Sequence, residues 1–167
     1  MLNVISRGLI YTEHSIMRSG VRILRPSEFK MLRGSITNRE KQILVDSLLL
    51  TGLRYEEALR LRGNSDWFDG NFILLPEWAQ QKAKRKQRER WVRLSIPGKY
   101  MMREFFATRM PSRVAFDKWI RYNFPLIEGL SAKTFRKTWE LWLLFSYPDK
   151  AMEIALSQGH TELTQLR

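Results

Sequence analysis

Residues 51–59 read Thr51-Gly52-Leu53-Arg54-Tyr55-Glu56-Glu57-Ala58-Leu59, and the rest of the chain is best read outward from them. Thr51-Gly52 interrupts a helical pattern that runs to Leu50, and Leu53 to Leu61 restarts it, so Arg54 falls in the first turn of a new helix. Upstream, Thr37-Asn38-Arg39-Glu40 fits a capping box, in which the threonine hydroxyl and the glutamate carboxylate satisfy free amides at a helix start. Ile43, Leu44 and Leu48 supply the core face of that helix. Pro26-Ser27 opens a shorter helix, with Ser27 as the expected N-cap. Residues 1 to about 22 have mixed polarity and no sustained period. They read as a linker or arm ahead of one domain over 23–167.

Downstream, Asp69-Gly70 separates Trp67-Phe68 from Phe72 to Leu75, a β-hairpin signal, and Trp91 to Ile96 alternates as a third strand. After Pro97 the pattern is helical, with breaks at Pro111, at Asn123 to Leu130, at Pro148 and at Gly159. The helix from Ser131 to about Ser146 carries Phe135, Trp139, Trp142 and Leu143 as an apolar stripe, and that stripe fixes where Lys133 and Arg136 point. The fold class expected is mainly α with a small three-stranded antiparallel sheet.

Composition bounds the function. The 167 residues suit one domain with a sizeable core, and 44% of them are hydrophobic, unlike a disordered basic tail. With no cysteine there is no disulfide framework and no thiolate zinc site, and His14 and His160 stand alone rather than in a ligand cluster. No apolar run approaches the roughly 20 residues of a membrane span, and the N-terminus has no continuous apolar region like that of a signal peptide. An intracellular location, in the cytoplasm of a host cell, is expected. The net charge is +12, and half of it comes from Lys82 to Arg93, where seven residues are basic and one is acidic. Such concentration points to a polyanionic partner.

Four cationic features follow one another: residues 51–59, the basic run, Lys133-Thr134-Phe135-Arg136, and Gly159-His160. In order and spacing they resemble the catalytic domain of the tyrosine recombinases, or phage-type integrases, from about residue 22 to the last residue. The family's first box, TGLRxxEL, resembles residues 51–59 and implies Arg54 as the first catalytic arginine and Glu57 as its supporting glutamate. Arg90-Trp91-Val92-Arg93-Leu94 resembles the RxVPL strand that follows the catalytic lysine. Lys84 is preferred for that lysine, with Lys86 and Lys82 as alternatives. The remaining cations of the run, Lys82, Arg85, Lys86, Arg88, Arg90 and Arg93, are expected to bind DNA.

The second box is usually HxxR, and Lys133 to Arg136 takes its place as KxxR, as in integrases of archaeal viruses and plasmids. Lys133 and Arg136 are thereby implied as catalytic. Gln158-Gly159-His160 matches the LGH element at its last two positions, so His160 is implied too. Such a set can bind the non-bridging oxygens of one phosphodiester without metal or cofactor, while a lysine protonates the leaving 5′ oxygen. The nucleophilic tyrosine of the family lies about nine residues after this histidine, just past Arg167, and Tyr11, Tyr55, Tyr100, Tyr122 and Tyr147 do not match it. The chain is therefore expected to end before its nucleophile and to be inactive alone.

The resemblance implies double-stranded DNA as partner, with tetramers on DNA for the full-length protein and a monomer for this chain. Two related readings are a catalytically silent DNA-binding fragment of the same fold and a type IB topoisomerase-like enzyme. A metal-dependent nuclease is disfavoured, because Glu56-Glu57 are adjacent and Asp66 and Asp69 flank a hairpin rather than converging.

Overall fold

The computed structural model describes residues 15–80 and 88–160. Among these residues the chain folds into seven α-helices and two small antiparallel sheets of two strands each.

The first sheet is a hairpin of β1 (Ile16–Arg18) and β2 (Val21–Ile23), with Ile16 opposite Ile23. Ser19 and Gly20 both have positive φ, 50° and 75°, in a two-residue turn whose twist matches that of the strands. These residues overlap the stretch that read as a linker or arm, and strands of three residues are too short to show a period of two. The Leu24 amide donates to Thr138 Oγ1 at 3.0 Å and the Trp142 indole donates to the Leu24 carbonyl at 3.0 Å, which pins the chain after the hairpin to the helix carrying both side chains.

Helix α1 (Pro26–Ser35) is capped by Arg25 rather than Ser27. Proline, having no N–H and a fixed φ, takes the first helical position itself, and Glu28 Oε1 accepts the Arg25 amide at 3.2 Å. A similar one-residue correction applies to α2 (Arg39–Thr51), whose cap is Asn38 and not Thr37, with Asn38 Oδ1 accepting from the Lys41 amide at 3.1 Å. Helix α2 is the centre of the molecule. It buries Ile43, Leu44, Val45, Leu48 and Leu49 between α4 (Ile96–Phe105) and α6 (Ala132–Ser146). Phe135 of α6 is fully buried against Phe116 of α5 (Arg113–Asn123), and Phe116 meets Tyr55 at 5.2 Å between ring centres. Trp139 and Trp142 pack against the same core from one side, as the stripe on α6 requires.

The three-stranded sheet expected from sequence is not what forms among the described residues. Strand β3 (Phe72–Leu75) pairs with β4 (Arg90–Arg93), Leu74 opposite Trp91. Trp67 lies in a 3-10 turn (Ser65–Trp67), and Phe68 contributes one isolated bridge to Ile73. Asp69 Oδ1 accepts the amides of Asn71 and Phe72, each at 2.8 Å, and that local turn reverses the chain after a single bridge. Strand β4 also ends earlier than expected, because Ser95 caps α4 by accepting from the Gly98 amide at 3.2 Å. The helices α3 (Tyr55–Arg62), α5, α6 and α7 (Ala151–Ser157) fall between the breaks read at Gly52, Pro111, 123–130, Pro148 and Gly159. No helix among the described residues is long and apolar enough to cross a membrane.

Candidate active site

Two glycine turns face each other across the centre of the site. Gly52 ends α2 with φ of +63°, and Gly159 follows α7 with φ of +74°, conformations that a Cβ strains. At α7 the Gly159 amide donates to Leu156 and the His160 amide to Ala155 at 2.9 Å, the pair of bonds of a Schellman motif, which throws His160 back toward the helix. Both glycines are also closely approached. A Cβ on Gly52 runs into Gln158 Nε2, and one on Gly159 meets Arg90 Nη1 at 2.5 Å.

Arg136 joins these turns. The residue is 7% exposed, and its guanidinium donates through Nη1 to the Gly52 carbonyl at 2.7 Å and through Nη2 to the Gln158 carbonyl. Burial, with the nearby Arg54 charge, pulls its pKa down to about 9, which leaves it cationic at neutral pH.

Arg54 is the N-cap of α3, one residue ahead of the expected first turn. Its Nη1 donates to Glu57 Oε1 at 2.8 Å, while Arg90 Nη2 donates to the other oxygen at 2.5 Å. Glu57 is 2% exposed; burial pushes its carboxyl pKa up, but the charges of Arg90, Arg136 and Arg54 together outweigh this and hold it below the usual range. His160 Nε2 lies 2.9 Å from Glu140 Oε2. Burial pushes the Glu140 carboxyl up, and the hydrogen bond from His160 and the nearby Lys137 hold it net below the ordinary value. An ionised carboxylate can only accept, which fixes Nε2–H as the donor.

Arg54, Glu57, Lys133, Arg136 and His160 all line one open cleft of about 480 Å³. The structure thus brings together every sequence-derived site residue that it describes, except those of the basic run. Lys82, Lys84, Arg85 and Lys86 lie outside the described residues. Arg90 departs from its expected role as a DNA contact. Its side chain points inward on β4, is 7% exposed, and donates to Glu57, to Gln80 Oε1 at 2.6 Å and to the Ser157 carbonyl at 3.1 Å. Its strand neighbours Trp91 and Arg93 face outward, as the period of two demands, and Arg88 is exposed.

No protein-family model matches the chain, and neither does any curated protein sequence. Solved structures do. The Tn1549 transposon integrase in complex with circular intermediate DNA aligns with a TM-score of 0.66 at 15% identity, over 90% of this chain and 62% of that one. A point variant of that integrase, also with a circular intermediate DNA, gives 0.70 at 13% identity over 90% and 61%. A third structure, with transposon right end DNA, gives 0.65 at 13% identity over 90% and 61%. The chain has an integrase fold. It spans about three-fifths of the integrase chains it aligns with.

Within that fold, several charged residues at the site escaped the sequence reading. Arg60, Arg113 and Lys137 line the cleft, and Glu140 partners His160. Glu140 stands one helical turn after Arg136 on α6, a spacing that puts an acid beside the second arginine and was open to notice. Arg113 opens α5, far in sequence from every box, and only the tertiary fold brings it near.

Proposed function

We propose that this chain is the catalytic domain of a site-specific DNA recombinase that cleaves and rejoins DNA through a 3′-phosphotyrosyl intermediate. The observation that carries the reading is the convergence of Arg54, Arg136, His160 and Lys133 on one cleft within an integrase fold. Arg54 and Arg136 would donate to the non-bridging oxygens of the scissile phosphate, with His160 beside it, and offset the charge that grows in the pentacoordinate transition state. A tyrosine oxygen attacks phosphorus, the bond from phosphorus to the 5′ oxygen breaks, and a lysine of the basic run, Lys84 by preference, protonates that oxygen. The phosphotyrosyl ester keeps the bond energy, so religation by a 5′ hydroxyl needs no cofactor.

The attacking tyrosine belongs outside the described residues. Tyr55 is the one described tyrosine that lines the cleft, and its hydroxyl donates to the Pro111 carbonyl at 2.6 Å, while burial pushes its pKa well up. It is held and poorly nucleophilic. Lysine at 133, where most members of the family have histidine, supports a place among the integrases of archaeal viruses and plasmids. The partner in this reading is a double-stranded recombination site, with tetramers assembling on DNA in the full-length protein.

Incubation with a nicked suicide duplex tests the reading. The 167-residue chain is expected to bind the duplex without forming a covalent adduct. A chain that also carries the attacking tyrosine is expected to form one in the presence of EDTA, and Arg54→Ala in that chain to lower the rate by about 10²–10³-fold with little loss of binding. Cleavage that requires a divalent metal would overturn it in favour of a metal-dependent nuclease.

A further inference from the structure

The cleft carries more positive charge than one phosphate calls for. Its interior arginines each give donors to protein partners as well as facing one phosphate: Arg136 to the two turn carbonyls and Arg54 to Glu57. Arg113 is different. It is exposed, it lines the same cleft, and among the described residues it makes no hydrogen bond or ion pair.

Its position is nevertheless fixed. Tyr55, the residue after Arg54, donates from its hydroxyl to the Pro111 carbonyl, two residues before Arg113. Ser112 caps α5 by accepting the Ala115 amide at 3.2 Å. On the other side, Asp117 of α5 accepts the Ala132 amide at 2.8 Å, next to Lys133. The N-terminal part of α5 and the residues leading into it are therefore tied to the start of α3 and to the start of α6, the two elements that carry Arg54 and Lys133. Three helix starts converge on one cleft, and the fields of their N-terminal ends add to the side-chain charges in favouring anions. A cleft of 480 Å³, on the order of fifteen water volumes, has room for more than the single phosphate that the interior arginines face.

We propose that Arg113 binds a second backbone phosphate of the DNA, adjacent to the one held by Arg54 and Arg136, and so sets the register of the strand in the cleft. The inference rests on the DNA reading above and extends it to a residue that no sequence box contains. Arg113 is a binding residue here; it leaves the reacting phosphorus to the interior set. Its five N–H donors, unclaimed among the described residues, can grip phosphate oxygens two at a time.

The test is the salt dependence of binding to a fluorescent duplex of about 30 base pairs, followed by anisotropy for the parent chain, Arg113→Gln, Arg113→Lys and, as a control, Arg103→Gln on α4, outside the cleft. Each neutralised phosphate contributes about −0.9 to the slope of log affinity against log salt. Arg113→Gln is expected to make the slope shallower by about 0.9 and to weaken binding several-fold at low salt, Arg113→Lys to keep the slope, and Arg103→Gln to leave both unchanged. A parent-like slope in Arg113→Gln, or an equal loss in Arg103→Gln, overturns the inference and leaves the DNA reading standing. A parent chain without salt-dependent duplex binding overturns the DNA reading and this inference with it.

Discussion

Glu57 Oε2 lies 2.5 Å from Arg90 Nη2 inside the protein, where both side chains are almost wholly removed from solvent. The other oxygen of Glu57 holds Arg54, so one carboxylate connects the arginine at the cleft to the strand that follows the basic run. Breaking a buried pair on one side leaves an uncompensated charge, at a cost of about 3–5 kcal/mol. Glu57→Leu and Arg90→Met are each expected to lose stability in that range by urea unfolding. The double variant is expected to lose less than the two singles summed, with a coupling of about 2–3 kcal/mol. Additive losses would show that the pair is not the unit described.

Acid should act through the same carboxylate. Glu57 and Glu140 both have pKa values held below the ordinary range in the fold, Glu57 against the upward push of burial by Arg90, Arg136 and Arg54, and Glu140 against burial by His160 and Lys137. A depressed folded pKa means that the unfolded chain binds more protons, so the stabilisation is complete above the unfolded value of about 4.3 and is lost as pH falls from there through the folded values. Unfolding free energy measured from pH 6 down to pH 2 is expected to decline below about pH 4.3, and more shallowly in Glu57→Gln, whose neutral amide has no such titration. An unchanged acid limb in that variant would contradict the assignment.

Three glycines with positive φ separate strain from crowding. Gly20 in the β1–β2 turn has open space where a Cβ goes, whereas Gly52 and Gly159 have Gln158 and Arg90 there. Gly20→Ala is expected to cost only the left-handed strain, about 1–2 kcal/mol. Gly52→Ala and Gly159→Ala are expected to cost more and to displace the two carbonyl-bearing turns that Arg136 bridges. Thermal unfolding of the three variants checks the order.

Much of this was legible in the chain because it depends on local chemistry. Helix breaks at Gly52, Pro111 and Gly159 are written by the residue types that most often end a helix, and the stripe of Phe135, Trp139 and Trp142 fixes which face of α6 is buried. The juxtaposition of Arg54, Arg136 and His160 was legible through the spacing of the boxes that resemble integrases. Pairing in the small sheets was not, since Asp69 turns the chain by its side chain after one bridge and Ser95 begins a helix where alternation continued. The fate of Arg90 was hidden for a different reason. An arginine within a basic run looks solvated, and its burial is tolerable because Glu57, 33 residues away, balances its charge while Gln80 and the Ser157 carbonyl take its other donors. Arg113 gave no local signal, because its place depends on contacts that Tyr55 and Asp117 make across the fold.

We propose that the Gly52–Arg54 and Gln158–His160 turns, joined by Arg136, enclose one DNA phosphate. A co-crystal structure of the chain with duplex DNA measures this directly. A backbone phosphate oxygen is expected within about 3 Å of the Arg54 and Arg136 guanidiniums, with His160 facing the same phosphate. DNA bound on another face, with the cleft filled only by solvent, would contradict it.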